Sequence, residues 1–90
     1  MPRYLIERTF PEALDLPGPA QATQARLAFA ENSALDGVTW VHSYVAPDGR
    51  KSYCICDAPT PEAVRRAAQR NGLPVDRITE VRVLDPYVYP

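Results

Sequence analysis

The tetrapeptide Ala46-Pro47-Asp48-Gly49 lies at the middle of the chain, between two runs rich in β-branched and aromatic residues, Val38 to Val45 and Lys51 to Asp57. Proline fixes φ for the second position of a turn, and glycine supplies a left-handed residue at no steric cost. Two strand-like runs joined so closely can only form an antiparallel hairpin. Whatever else the chain does must be built around it.

Each arm of the hairpin leads to a helical segment. Gln21 to Ala34 is alanine-rich, with Ala22, Ala25 and Phe29 at helical spacing, Leu27 and Ala30 beside them, and Asp36-Gly37 as its end. After the hairpin, Thr60 is placed to cap a second helix, with Pro61 at its first position and Glu62 near its positive end. That helix runs to Asn71, buries Ala63, Val64, Ala67 and Ala68, and is closed by Gly72. Arg3 to Phe10 and Ile78 to Leu84 read as outer strands. Pro11 to Pro19 is a proline-broken connector, and Asp85 to Pro90 a tail able to dock as a short edge strand.

The order β-α-β-β-α-β predicts an α+β fold of ferredoxin-like type over residues 1–90 as a single domain. One antiparallel sheet would carry both helices on one face and leave the other uncovered. A chain of 90 residues buries a small core, so self-association through the uncovered face, as a dimeric α+β barrel, is expected.

A three-residue loop with a glycine bulge would pair Ala46 with Arg50, and so Val45 with Lys51, Tyr44 with Ser52, His42 with Cys54 and Trp40 with Cys56. That register places Val41, Val45, Tyr53, Ile55, Val81, Val83, Tyr4 and Ile6 under the helices. The open face then collects Leu5, Glu7, Thr9, Trp40, His42, Tyr44, Ser52, Cys54, Cys56, Glu80 and Arg82. A face carrying Trp, Tyr, His and Cys is expected to be an interface or the wall of a ligand cavity.

The chemistry expected there is metal binding. An imidazole from His42 and a thiolate from Cys54, directly opposed, would lie ~4.5–5.5 Å apart at Cβ. Cys56 is two residues along, and Glu7 could add an oxygen from the first strand. Such a mixed set suits nickel, zinc or copper better than calcium or magnesium. Trp40 and Tyr44 would wall the site. The two cysteines are spaced ~6.5–7 Å along a strand, at the far edge of disulfide geometry, and read as free thiols in a reducing compartment.

Other classes are disfavoured. The net charge of −1 and pI near 5.7 are not the footprint of a nucleic-acid binder. Arg65, Arg66 and Arg70 read as a solvated helix face. Met1 to Arg8 lacks the apolar stretch of a secretion signal, and no run approaches the ~18 apolar residues of a membrane span. A cytoplasmic protein with no nucleic-acid or membrane partner is expected.

Several blocks together resemble one family. They are Tyr4-Leu5-Ile6-Glu7-Arg8-Thr9-Phe10-Pro11, Val38-Thr39-Trp40-Val41-His42-Ser43-Tyr44-Val45, Tyr53-Cys54-Ile55-Cys56-Asp57-Ala58-Pro59 and Asn71-Gly72-Leu73-Pro74-Val75-Asp76-Arg77-Ile78. The sequence is similar over nearly its whole length to a small bacterial nickel-binding family with a ferredoxin-like fold, otherwise a domain of unknown function. The resemblance implies a homodimer joined through its sheets, surface nickel binding and a role in nickel sequestration. It does not assign ligands; Glu7, His42, Tyr44 and Cys54 lie in matching blocks and are nominated on chemistry. At Cys56 the family pattern carries an aromatic residue, usually tyrosine, and this chain departs from it. The connector around Pro17-Gly18-Pro19 is also individual.

A second reading uses the same residues. Paired ferredoxin-like domains also form small-molecule barrels, among them monooxygenases, isomerases and cyclases. In such a cavity His42 and Glu7 would act as acid and base, with Trp40, Tyr44 and Tyr4 as walls. A redox role for Cys54 and Cys56 ranks behind both, since no Cys-x-x-Cys helix start is present.

Overall fold

The computed structural model describes residues 1–12 and 19–87. Six elements follow in order: β1 (Arg3–Thr9), α1 (Pro19–Ala34), β2 (Thr39–Val45), β3 (Lys51–Asp57), α2 (Pro61–Asn71) and β4 (Arg77–Val81). The strands form one antiparallel sheet in the order β2-β3-β1-β4. This is the expected ferredoxin-like α+β arrangement. The tail beyond Tyr87 lies outside the described residues.

α2 is closed at both ends by the residues its sequence places there. Thr60 keeps extended φ and ψ, and its Oγ1 accepts the Ala63 N–H at 3.1 Å. Gly72 takes φ 66° and allows the Leu73 N–H to reach the Ala68 carbonyl at 2.9 Å. The buried face of the helix is Ala63, Val64, Ala67 and Ala68. Ala63, Val64 and Ala67 join Tyr4, Ile6, Cys54 and Cys56 in one buried cluster.

The hairpin departs from the expected register. The Gly49 N–H bonds the Ala46 carbonyl at 2.8 Å, as a turn requires. The Arg50 N–H, however, is taken by the Asp48 carboxylate at 3.0 Å, an Asx turn that keeps Arg50 in the loop. Ala46 therefore bonds Lys51, and Val45 pairs with Ser52, Tyr44 with Tyr53, Ser43 with Cys54 and His42 with Ile55. A bulge between Trp40 and His42 absorbs the extra residue, so Trp40 still pairs with Cys56.

The shift moves one strand's residues to the opposite faces. Ser52, Cys54 and Cys56 are buried under the helices beside Tyr4, Ile6 and Ala58. Tyr53 and Ile55, expected in the core, lie on the open face. Cross-strand volume explains this: Cys56 stands opposite Tyr4 and Cys54 opposite Ile6, small residues against large ones in one buried cluster. β4 is inverted in the same way. Ile78 and Glu80 pair with Ile6 and Tyr4 and share their inward phase, whereas Val81 pairs with Arg3 on the open side. β4 ends at Val81, and Val83 and Leu84 lie exposed beyond it. Trp40 also belongs to the covered face, its ring edge-on to Phe29 of α1 at 5.3 Å between centroids.

Candidate functional site

The register arranges the open face in rows. One runs His42, Ile55, Leu5, Thr79 across the four strands; the next runs Tyr44, Tyr53, Glu7, Arg77. His42 and Tyr44, two residues apart on β2, meet edge to face at 5.2 Å between ring centroids. Both are exposed, Tyr44 at 62%. They border a shallow cleft of about 330 Å³ that also takes in Leu5, Ile55, Arg82 and Leu84. At the end of the face Arg3 holds Asp57 through two hydrogen bonds, 2.8 and 3.1 Å. Those bonds and the guanidinium charge keep the Asp57 carboxyl below its ordinary range, against a smaller opposing effect of burial.

Glu7 shares the open face with His42 but not its neighbourhood. β3 lies between their strands, and they differ by one row. Two interstrand spacings of ~4.8 Å and a two-residue step of ~6.8 Å put their Cα atoms roughly 12 Å apart. Within one chain they are out of reach as an acid and base pair. Tyr4, expected as a wall of that cavity, is buried on the other side.

The expected metal set is divided by the sheet. His42 and Glu7 stand on the open face; Cys54 and Cys56 are buried on the covered face. The opposition of His42 and Cys54 is corrected to His42 with Ile55 and Ser43 with Cys54. Trp40 leaves the open face with the thiols, and Tyr44 stays with His42. Among the described residues no three or more His, Cys, Asp or Glu side chains converge as a metal site.

The covered face carries a second polar cluster. Cys54 and Cys56 are free thiols. Burial pushes the Cys56 thiol up to about 11, with Cys54 and Asp57 acting in the same direction and Arg8 against them. Cys54 has a different environment. Trp40 Nε1 donates to Ser43 Oγ at 2.9 Å, and Ser43 Oγ donates to Cys54 Sγ at 2.9 Å. Ser52 Oγ lies 4.0 Å from the same sulfur. Arg8, directly opposite Ser52, is 3% exposed, and its Nε and Nη1 meet no hydrogen-bond partner among the described residues. Sequence reasoning missed Arg8 and Ser43. The available signal was the alternation itself, since Arg8 continues the inward phase of Tyr4 and Ile6.

The fold is similar to that of a solved protein, described as "Crystal structure analysis of SCO4226 from Streptomyces coelicolor A3(2)". The two superpose with a TM-score of 0.73 over 92% of this chain and 99% of that one, at 23% sequence identity. At that identity the likeness is one of fold. No curated protein matches the chain. The family described as "Nickel responsive protein SCO4226-like" matches residues 4–81, nearly the whole of the chain's described architecture. The chain therefore belongs to the SCO4226-like family of nickel-responsive proteins.

Proposed function

We propose that the protein binds nickel as a homodimer, with His42 as the principal ligand on the open face of the sheet, and acts in nickel sequestration in the cytoplasm. The observation that carries this reading is the position of His42. The only histidine of the chain stands exposed on the one sheet face that no helix covers, held by the edge of Tyr44 and bordered by Leu5 and Ile55. An imidazole is a good ligand for nickel, zinc and copper alike.

Among the described residues one chain does not offer a complete donor set there, since the thiols are behind the sheet and Glu7 is roughly 12 Å away by strand geometry. A second copy meeting the first through this face would add its own His42 and Glu7. The apolar residues around His42 favour such a meeting, because half-buried Leu5 and Ile55 and exposed Tyr44 gain by leaving water.

Calorimetric titration of tag-free, chelator-stripped protein with nickel, zinc and copper tests the reading, with sedimentation velocity run on the same samples. Saturable nickel binding by a dimer is expected. His42→Ala should weaken it by at least about tenfold, the loss of one ligand-sized interaction, with the melting transition unchanged. Unchanged affinity in His42→Ala would refute the site, and no binding by the parent chain would refute the function. The cleft beside His42 favours one other reading, an organic ligand or substrate held between two copies. It would show in native mass spectra as bound small molecule on protein that takes up no nickel.

A further inference from the structure

The cluster beneath the helices has no part in nickel binding at His42, and its chemistry points elsewhere. Arg8 carries a guanidinium, a fork of N–H donors with no acceptor, into the interior. Only 3% of the residue is exposed, and two of its nitrogens lack acceptors among the described residues. Buried charge of this kind is costly unless something negative completes it. Around it on the same face stand Ser52, opposite in the register, and Cys54, next along β3 and paired with Ile6. The charge of Arg8 is also felt at the Cys56 sulfur.

The two thiols are not equivalent. An indole nitrogen only donates, so the bond from Trp40 occupies Ser43 Oγ as an acceptor and leaves the serine proton for Cys54 Sγ. This fixed hydrogen bond strengthens as negative charge builds on the sulfur. Cys56 receives no such bond among the described residues and is the more deeply buried, 2% exposed against 8% for Cys54.

We propose that Cys54, with Arg8 and Ser43, is a thiol site that reacts with hydrogen peroxide and small alkyl hydroperoxides. The Cys54 sulfur attacks one peroxide oxygen; an S–O bond forms and the O–O bond breaks. The departing oxygen takes the thiol proton and leaves as water or an alcohol. Sulfur is oxidised by two electrons to a sulfenic acid and the peroxide is reduced by the same two. The free N–H groups of Arg8 stabilise the charge that grows on the peroxide oxygens, and Ser43 holds the sulfur. Cys56 does not resolve the product: two positions along one strand lie ~6.5–7 Å apart, at the edge of disulfide reach. The sulfenic acid therefore persists as the oxidised state.

The test uses the full chain, tag-free, reduced and metal-free, treated with equimolar hydrogen peroxide in the presence of a cyclic diketone that traps sulfenic acids. Peptide mapping by mass spectrometry then locates the adduct. The adduct is expected on Cys54 alone, forming at least about tenfold faster in the folded chain than in denaturant. Arg8→Met and Ser43→Ala should each slow it by about tenfold or more, as loss of one donor to a developing charge does. Labelling of Cys56, a folded chain no faster than the unfolded one, or full rates in both variants would each overturn the proposal. If Arg8→Met does not fold, Ser43→Ala, which removes one oxygen from a partly exposed residue, decides alone.

Discussion

Replacing Arg8 by methionine should make the protein more stable, and the size of the gain follows from its surroundings. The side chain is 3% exposed, with Nε and Nη1 unbonded among the described residues. A buried donor left without a partner costs about 1–3 kcal/mol, and more when it is charged. Methionine is unbranched, flexible and free of donors, so it can follow much of the space the arginine stem occupies. Imperfect fit should return up to about 1.5 kcal/mol. Buried ionic groups exchanged for apolar ones of similar volume commonly leave a protein unchanged or more stable by about 1–4 kcal/mol. A net gain of about 1–2 kcal/mol is expected, which raises the melting temperature by roughly 4–8 °C per kcal/mol in a domain of this size. The assay is urea unfolding followed by fluorescence. The single tryptophan, Trp40, reports from within the cluster through its bond to Ser43 and its contact with Phe29. Arg8→Lys keeps the charge and should show no gain. A loss of more than about 1 kcal/mol in Arg8→Met, beyond the ordinary cost of a volume-conserving swap, would mean that the guanidinium is well compensated. It would remove the reason for regarding Arg8 as a group held ready for a ligand.

Two further outcomes concern the frame around the sites. Gly72→Ala should cost about 1 kcal/mol, read as a lowered urea midpoint at constant slope. Among the described residues, no atom other than those of its chain neighbours lies within 4 Å of the added Cβ, so the cost is that of an L-residue held at φ 66°. A second outcome follows from Asp36. Burial would raise its carboxyl, but hydrogen bonds and charge from Arg70 and Arg66 more than offset this and hold it below its ordinary range. A depressed carboxylate contributes stability that is complete above the unfolded value and lost as pH falls through the folded one. Melting temperatures recorded downward from about pH 5 should therefore fall more steeply in the parent chain than in Asp36→Asn. Equal slopes would show that the two arginines do not hold the loop after α1 to α2.

The parts of the fold that could be read in advance are those fixed by local chemistry. Thr60-Pro61-Glu62 and Gly72 dictate where α2 begins and ends because each satisfies or relieves a backbone group within its own turn. The order of elements follows from the same local signals. Of the proline-broken connector, residues 13–18 lie outside the described residues, and Pro19 opens α1. The register was not legible, because it turned on one hydrogen bond. Whether the Arg50 N–H goes to Ala46 or to the Asp48 side chain changes the loop by one residue. Strand periodicity carries that single step through to every side chain of β3. Hydropathy then reinforced the wrong choice. Tyr53 and Ile55 are better core residues than Ser52, Cys54 and Cys56 when ranked alone. The ranking fails here because Tyr4, Ile6 and the alanines of α2 already fill the layer, and because the open sheet face has large residues on every strand.

The bulge between Trp40 and His42 decides what the two faces can do. With one residue absorbed there, Trp40 and Ser43 both point under the helices, although they are three positions apart. A regular strand would send them to opposite faces and the indole could not reach the serine hydroxyl. Beyond the bulge, His42 and Tyr44 stay outward together by ordinary alternation, on the face opposite Trp40. The sheet thus separates a face with an imidazole and no thiol from a face with two thiols, a guanidinium and no imidazole. Placed together, as a regular hairpin would have them, a thiol and an imidazole on a surface would compete for one ion. Held apart, the imidazole is open to solvent, a second copy and a borderline metal, while Cys54 is buried on the covered face. The two chemistries can therefore be tested one at a time: His42→Ala should leave trapping at Cys54 unchanged, and Ser43→Ala should leave nickel affinity unchanged.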